Sequence, residues 1–158
     1  MKIKENDILT VDKYIHEALY NNKTGYYMRK NPFGKKGDFI TAPNISILFS
    51  EMIAIWIISF WQNLKNPKKF NLVELGSGNG EMISQIIKTF ESFPLFKKCC
   101  KISILEKSPY LKKIQKNKLQ NKNIKWLNNL DEISNLPSIF IANEFFDAFP
   151  FKQFIKKN

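Results

Sequence analysis

A chain of 158 residues with an apolar share of 44% is long enough for one domain with a real core. Its formal charge of +11 invites a nucleic-acid reading, yet of its 25 basic residues only Arg29 is an arginine. Base readout relies on the arginine fork, so the lysine excess reads as drift of the whole composition toward Lys, Asn, Ile and Phe, and nucleic acid is not an expected partner.

The N-terminus, MKIKENDILTVDKY, has no apolar core and carries acids early, so neither a signal peptide nor an organelle presequence is expected. Cys99 and Cys100 are adjacent, too close for ordinary disulfide geometry, and no C-x-x-C or His/Cys ligand set accompanies them. Reduced thiols and a cytoplasmic location are the resulting expectations, the mitochondrial matrix being the counterpart in a eukaryotic cell. No metal is expected.

Residues 1–70 read as a helical and loop region that packs on the core of the domain. Thr10 can cap a helix whose apolar stripe is Val11, Tyr14, Ile15, Ala18 and Leu19, and His16 falls off that stripe. Residues 25–42 are loop-like, with Gly25, Pro32, Gly34 and Gly37 and a basic cluster. Met52 to Trp61 is apolar apart from Ser59, but far short of the roughly 20 residues of a membrane span. It predicts one helix covered on several sides, by the rest of a larger domain or by a subunit, so a homo-oligomer is one expectation.

Residues 71–158 read as the start of a Rossmann-like domain. A strand at 71–75 breaks into Gly76, Gly78 and Gly80 and opens a helix carrying Met82, Ile83, Ile86, Ile87 and Phe90. Further strands are predicted at 101–106, 124–127 and 138–142, with a lysine-rich helix after the second, whose Ser108 is the N-cap and Pro109 the first helical residue. Lys112, Lys113, Lys116 and Lys118 would form its solvated face. Alternating strands and helices predict an α/β fold with a mostly parallel sheet.

The glycine loop is the most informative segment. Gly76 permits a sharp turn off the strand, and Gly78 leaves bare backbone for a ligand. A dinucleotide fingerprint would need a small residue at position 81, where Glu81 would repel a pyrophosphate. G-x-G-x-G preceded by an acid is instead the first motif of class I methyltransferases, whose cofactor S-adenosylmethionine carries an ammonium that Glu74 can hold. Glu106, at the neighbouring strand end, can accept both ribose hydroxyls. Taken alone, the loop also fits a tight turn with no ligand, and Glu106 a solvent-exposed strand end.

The fourth strand should end beside the first, so Asn143 to Asp147 should face the methyl donor. If the nucleophile is a guanidinium nitrogen, Glu144 and Asp147 can align its planar fork and take up the proton released. Phe145 and Phe146 would wall the site or fill core.

GYYMRK (25–30), FGKKGDFITAPNISILFSEMIAIW (33–56), VELGSGNGEM (73–82), LEKSPYLKKIQ (105–115) and ANEFFDAFPFKQF (142–154) resemble the MidA-like class I methyltransferases, in order over nearly the whole chain. That family includes a mitochondrial complex I assembly factor that methylates an arginine of a complex I subunit. The resemblance implies a Rossmann-like methyltransferase fold, S-adenosylmethionine as donor and a protein arginine, such as one on a complex I subunit, as acceptor. By resemblance Gly37, Asp38 and Thr41 would form a loop over the cofactor, Glu74, Gly76, Gly78 and Glu106 would bind it, and Asn143, Glu144 and Asp147 would line the site.

The sequence departs from the family pattern at Ser77 for Pro, Asn44 for Glu and Ser50 for Gly. Asn44 removes a carboxylate beside the proposed loop. Family members are also longer, with more strands than the four predicted here, so a sheet incomplete at its C-terminal side is expected of this chain, with inactivity of the short chain on its own as one expectation. A non-catalytic binding or assembly protein that keeps the cofactor loop is the alternative reading. A nucleic-acid methyltransferase would prefer adjacent prolines at the fourth strand, which NEFFDAFP lacks.

Overall fold

A computed structural model describes residues 8–120 and 122–156. Residues 1–7, part of the stretch read as carrying no presequence, lie outside the described residues, as do 121 and 157–158. In chain order the elements are α1 (Val11–Tyr20), α2 (Tyr26–Arg29), α3 (Ala42–Ile45), α4 (Ile47–Asn63), β1 (Phe70–Leu75), α5 (Glu81–Phe90), α6 (Pro94–Cys99), β2 (Cys100–Leu105), α7 (Pro109–Lys118), β3 (Ile124–Leu127) and β4 (Ser138–Ile141). Single 3₁₀ turns lie at Leu130–Glu132 and Phe146–Ala148.

All four strands run parallel in the order β3-β2-β1-β4. The chain steps outward from β1 to β3 and then returns to the other side of β1. That reversal opens a crevice between the carboxyl ends of β1 and β4, where doubly wound sheets bind ligands. The expected neighbours of β1 are the observed ones, with Leu75 opposite Leu105 and Glu74 opposite Ile104 and Ile141.

Residues opposite one another in register share a face of the sheet. On one face Phe70, Leu72, Ile104, Ile139 and Ile141 join the buried side chains of α4 and α5 in a single cluster. The five residues predicted for the inner stripe of α5 (Met82, Ile83, Ile86, Ile87 and Phe90) are all buried. In α7 the buried stripe is Leu111, Gln115 and, one residue past the helix, Leu119, while Lys113, Lys116 and Lys118 are exposed and Lys112 is half-buried. Ser108 caps α7 as expected, its Oγ accepting from the Leu111 N–H at 3.2 Å, with Pro109 in the first helical position.

Two helices keep apolar residues exposed. The apolar helix α4 begins at Ile47 and buries one face only, through Ser50, Ala54, Ile57, Ile58 and Trp61. Its other face leaves Leu48, Met52, Ile55, Trp56 and Phe60 exposed, so no described element supplies cover on all sides. The stripe of α1 is half-buried at best, and Tyr14 is 57% exposed. Among the described residues no helix is long and apolar enough to cross a membrane.

Two residues on the buried face of α4 act on stability with opposite sign. Ile57 is fully buried in the core cluster, whereas Ser50, equally buried, has a hydroxyl with no hydrogen-bond partner among the described residues. Ile57→Ala is expected to lower stability by about 2–5 kcal/mol through the lost burial and the cavity left behind. Ser50→Ala should raise it by about 1 kcal/mol, because it removes the orphaned hydroxyl. Urea midpoints of both variants check the pair of signs.

Candidate functional site

Glu74 owes its position to the sheet register. It lies between Ile104 and Ile141 on the core face, and is 2% exposed. Its carboxylate accepts from the Ser77 hydroxyl of the glycine loop. Burial pushes Glu74 up from 4.5 to about 7, opposed by the Ser77 bond and reinforced by the charge of Glu106.

Glu106 comes directly after β2 and is also buried. Its Oε1 accepts from the Ser108 N–H at 3.0 Å and its Oε2 from Gln115 Nε2 at 2.9 Å. Burial raises this carboxyl too, while those two bonds and the Lys112 charge pull it back. The two carboxylates border neighbouring cavities that share the glycine loop, and each is raised by desolvation, a setting that suits a ligand with positive charge and hydroxyl donors.

Between them runs the glycine loop. The Gly76 N–H donates to the Leu105 carbonyl at 2.9 Å, which ties the loop to the end of β2 just before Glu106. Gly76 has φ +66° and Gly78 φ +53°, a region that side chains with a Cβ rarely enter. Both are also pressed by aromatic rings. A Cβ on Gly76 would lie 2.4 Å from the Phe145 ring, and one on Gly78 would lie 3.2 Å from the Phe33 ring. Glu81 opens α5, where burial pushes its carboxyl up but bonds from Lys118 and Gln85 outweigh it and hold it below its ordinary value. An anion at that helix start would meet negative charge.

Two cavities share this loop. The larger, about 480 Å³, lies over Gly76, Gly78 and Glu106 and is walled by Tyr20, Tyr27, Phe33 and Phe145. Its volume falls in the range of small-ligand clefts. The smaller one is bordered by Glu74, Thr41, Asn44, Asn143 and Asn79, and Phe33, Gly76, Gly78 and Glu144 border both. Glu144 is exposed and holds φ +47°, a left-handed conformation uncommon outside glycine.

Of the residues singled out in the sequence, Glu74, Gly76, Gly78, Glu106, Thr41, Asn143 and Glu144 all border these two cavities. Gly37, Asp38 and Asp147 border neither. Asp38 is exposed, and its carboxylate accepts from the Tyr26 hydroxyl and the Lys30 ammonium. Gly37 sits in a turn so tight that a Cβ would lie 2.2 Å from the Pro32 carbonyl oxygen. That turn carries Phe33 onto Gly78, so the segment does fold over the glycine loop, through Phe33 rather than through Asp38. Its second tie runs through Asn44: the Asn79 amide donates to Asn44 Oδ1 at 3.0 Å, and Asn44 donates to Thr41 Oγ1 at 2.9 Å. Asp147 is exposed, yet its charge helps raise the Tyr20 and Tyr27 hydroxyls, after burial as the main cause. His16 is exposed at the rim of the larger cavity.

Sequence reasoning did not single out Phe33, the tyrosine wall or Gln115. Tyr20 stacks on Tyr27 at 5.9 Å and Tyr27 on Phe33 at 6.2 Å, and the Tyr20 hydroxyl donates to the Ala148 carbonyl at 2.9 Å. The N-terminal region thus closes over the carboxyl edge of the sheet. For Gln115 the available signal was a polar residue on an otherwise apolar helical stripe, Leu111-Gln115-Leu119.

A family model described as "Putative S-adenosyl-L-methionine-dependent methyltransferase" matches residues 52–158. The chain belongs to this family. Among curated relatives, "Protein arginine methyltransferase NDUFAF7, mitochondrial" of Xenopus laevis is 35% identical over 94% of this chain and 40% of its own length. The Homo sapiens protein of the same name is 34% identical over 98% of this chain and 41% of its own. A Burkholderia thailandensis structure solved with S-adenosyl-homocysteine bound superposes with a TM-score of 0.76 at 23% identity, covering 90% of this chain and 38% of that one. That likeness establishes the Rossmann-like fold. The chain spans about 40% of the length of the curated relatives it matches.

The raised carboxyl of Glu74 sets a pH dependence. Between 4.5 and about 7 the folded chain keeps a proton on Glu74 that the unfolded chain has released. The stability this proton confers is therefore full below 4.5 and is lost as pH rises to about 7. Glu74→Gln should match the parent at acid pH and exceed it in stability above neutrality, by up to about 3 kcal/mol. Urea unfolding of both proteins at the two pH limits measures the difference.

Proposed function

We propose that this chain carries the cofactor-binding part of a class I protein arginine methyltransferase with S-adenosylmethionine as donor. The observation that carries the reading is the pair of buried carboxylates, Glu74 and Glu106, at adjacent strand ends on either side of a glycine loop. Glu74 is held by the Ser77 hydroxyl, a neutral donor, and gains a counter-charge from a ligand ammonium. Glu106, fixed by Ser108 and Gln115, keeps lone pairs for two ribose hydroxyls. Gly76 and Gly78 border both cavities, their backbone packed close beneath the Phe145 and Phe33 rings. Thr41, on the segment shaped by Gly37 and anchored at its surface by Asp38, borders the same loop. S-adenosylmethionine, when bound, supplies an activated methyl group.

The acceptor side is Asn143, Glu144 and Asp147. Glu144 borders both cavities, and its exposed carboxylate can receive a planar guanidinium in a two-pronged bond. The same carboxylate is positioned to take the proton that an arginine nitrogen gives up. Asp147 adds negative charge near the tyrosine wall. An arginine acceptor also fits the relatives named protein arginine methyltransferases, and an arginine of a complex I subunit is the acceptor that the family resemblance supplies. Relatives named mitochondrial support a matrix location in a eukaryotic cell.

Glu106→Ala removes an acceptor for two charge-assisted hydrogen bonds, so affinity for S-adenosylhomocysteine in the intact protein should fall at least tenfold, about 1.4 kcal/mol. Glu144→Gln should leave that affinity nearly unchanged while transfer of labelled methyl to an arginine-containing protein drops by about two decades or more. Calorimetric titration and a methyl-transfer assay on both variants test the assignment. Loss of cofactor binding in Glu144→Gln alone would reverse the roles of the two acids. Cofactor binding by the parent with no transfer to any arginine-bearing protein would favour the non-catalytic scaffold.

A further inference from the structure

Gln115 is 0% exposed and lies behind the cleft, bordering none of the cavities described, yet its amide touches three elements of the site at once. Its Nε2 donates to the Gly78 carbonyl at 2.9 Å and to Glu106 Oε2 at 2.9 Å. Its Oε1 accepts from the Trp126 indole N–H at 3.0 Å.

These partners leave the amide one orientation. An indole N–H can only donate, so it must face the amide oxygen. The Gly78 carbonyl and the Glu106 carboxylate can both accept, so they take the two amide protons. Turning the amide over would set nitrogen against N–H and oxygen against two oxygens, in a buried place where each mismatch is expensive. Trp126 on β3 therefore fixes the sense of the amide, and the amide transmits it to the loop and to the acid.

The consequence falls on Glu106. Its Oε1 is held by the Ser108 N–H and its Oε2 by Gln115, so the carboxylate plane cannot turn. The acceptor capacity these bonds leave on the carboxylate is thereby held in a fixed direction. The same amide pins the turn of the glycine loop through the Gly78 carbonyl.

We infer that Gln115 is a positioning residue that locks the Glu106 carboxylate and the Gly78 turn into one rigid platform for a vicinal diol, with Trp126 setting the orientation of its amide. This rests on the adenosyl-cofactor reading of the cleft. It goes beyond it in making selectivity for the ribose hydroxyls depend on a residue that never meets the ligand.

The test measures, on the intact protein, affinity for S-adenosylhomocysteine and for its 2′-deoxyribose analogue, together with thermal unfolding. The parent is expected to prefer the intact ribose by at least about tenfold, the worth of one hydrogen bond to a charged group. Gln115→Met keeps the volume but not the bonds, and should reduce the preference to about threefold or less, close to that of Glu106→Ala. Trp126→Phe leaves Gln115 in place but frees its amide to turn, and should give a preference between those of the parent and Glu106→Ala. It carries the test by itself if Gln115→Met does not fold. Equal weakening toward both ligands with the preference intact, in either variant, would reduce Gln115 to a packing residue and overturn the inference. A parent that binds neither ligand, or both equally, would instead overturn the cofactor reading on which the inference stands.

Discussion

Glu74 sits in a row of the sheet where its two register partners are isoleucines, and the chain places Glu106 at the end of the next strand. Burying carboxylates this way costs free energy, and the cost is visible in the upward push on both groups. The surrounding structure partly offsets it with hydrogen bonds from Ser77, Ser108 and Gln115, all neutral donors. Neutral donors stabilise a carboxylate without cancelling its charge, so both groups stay able to pair with a ligand cation. The rest of the site derives from this choice. The loop between the acids must be glycine-rich because it has to turn sharply beneath aromatic rings, and α7 must bring an amide rather than another aliphatic to its buried stripe.

Much of this was legible in the sequence because it is written in local chemistry. Alternation and apolar runs gave the four strands, and the i, i+1, i+4, i+5, i+8 spacing gave the buried face of α5. Ser108-Pro109 marked a helix start that the structure reproduces to the residue. The order of the strands came from the crossover rule rather than from any one residue. Strand ends shifted by about one residue, as at Phe70, where pairing with Cys100 extends β1 beyond its apolar run.

What stayed hidden depends on long-range pairing. Phe33 looked like one of 14 phenylalanines, and only the tight turn at Gly37 brings it onto Gly78. Gln115 stood in a lysine-rich helix where a polar residue draws no notice, although its place between Leu111 and Leu119 marked it as buried. For the helix α4 the expected cover came from a larger domain or a subunit, neither of which is among the described elements. The continuous hydrophobicity of α4 predicted cover on several sides, and the described elements cover one face and leave Trp56 and Phe60 stacked in the open at 5.4 Å. Hydrophobicity reports that a surface seeks burial and not which element supplies it.

The two sides of the crevice differ in exposure, and that difference bears on what can bind there. The side proposed for the methyl donor is enclosed: Glu74 and Glu106 are buried, and stacked rings from the N-terminal region roof the larger cavity. The side proposed for the acceptor is open, with Glu144, Phe146, Asp147 and Phe149 all exposed, and with Phe145, Phe146 and Phe149 packed edge to face. A small acceptor would need walls that this side does not provide. A side chain presented by a folded or extended protein brings its own walls and needs only a reachable charge beside an apolar shelf. Glu144 and Asp147 offer that charge on a chain whose formal balance is +11, so the negative potential at the mouth is local and short in range. Selection of a cationic side chain would then happen at contact distance, through carboxylate geometry, rather than through long-range steering. The left-handed backbone of Glu144, uncommon outside glycine, falls where both cavities meet, so its carboxylate can be reached from either.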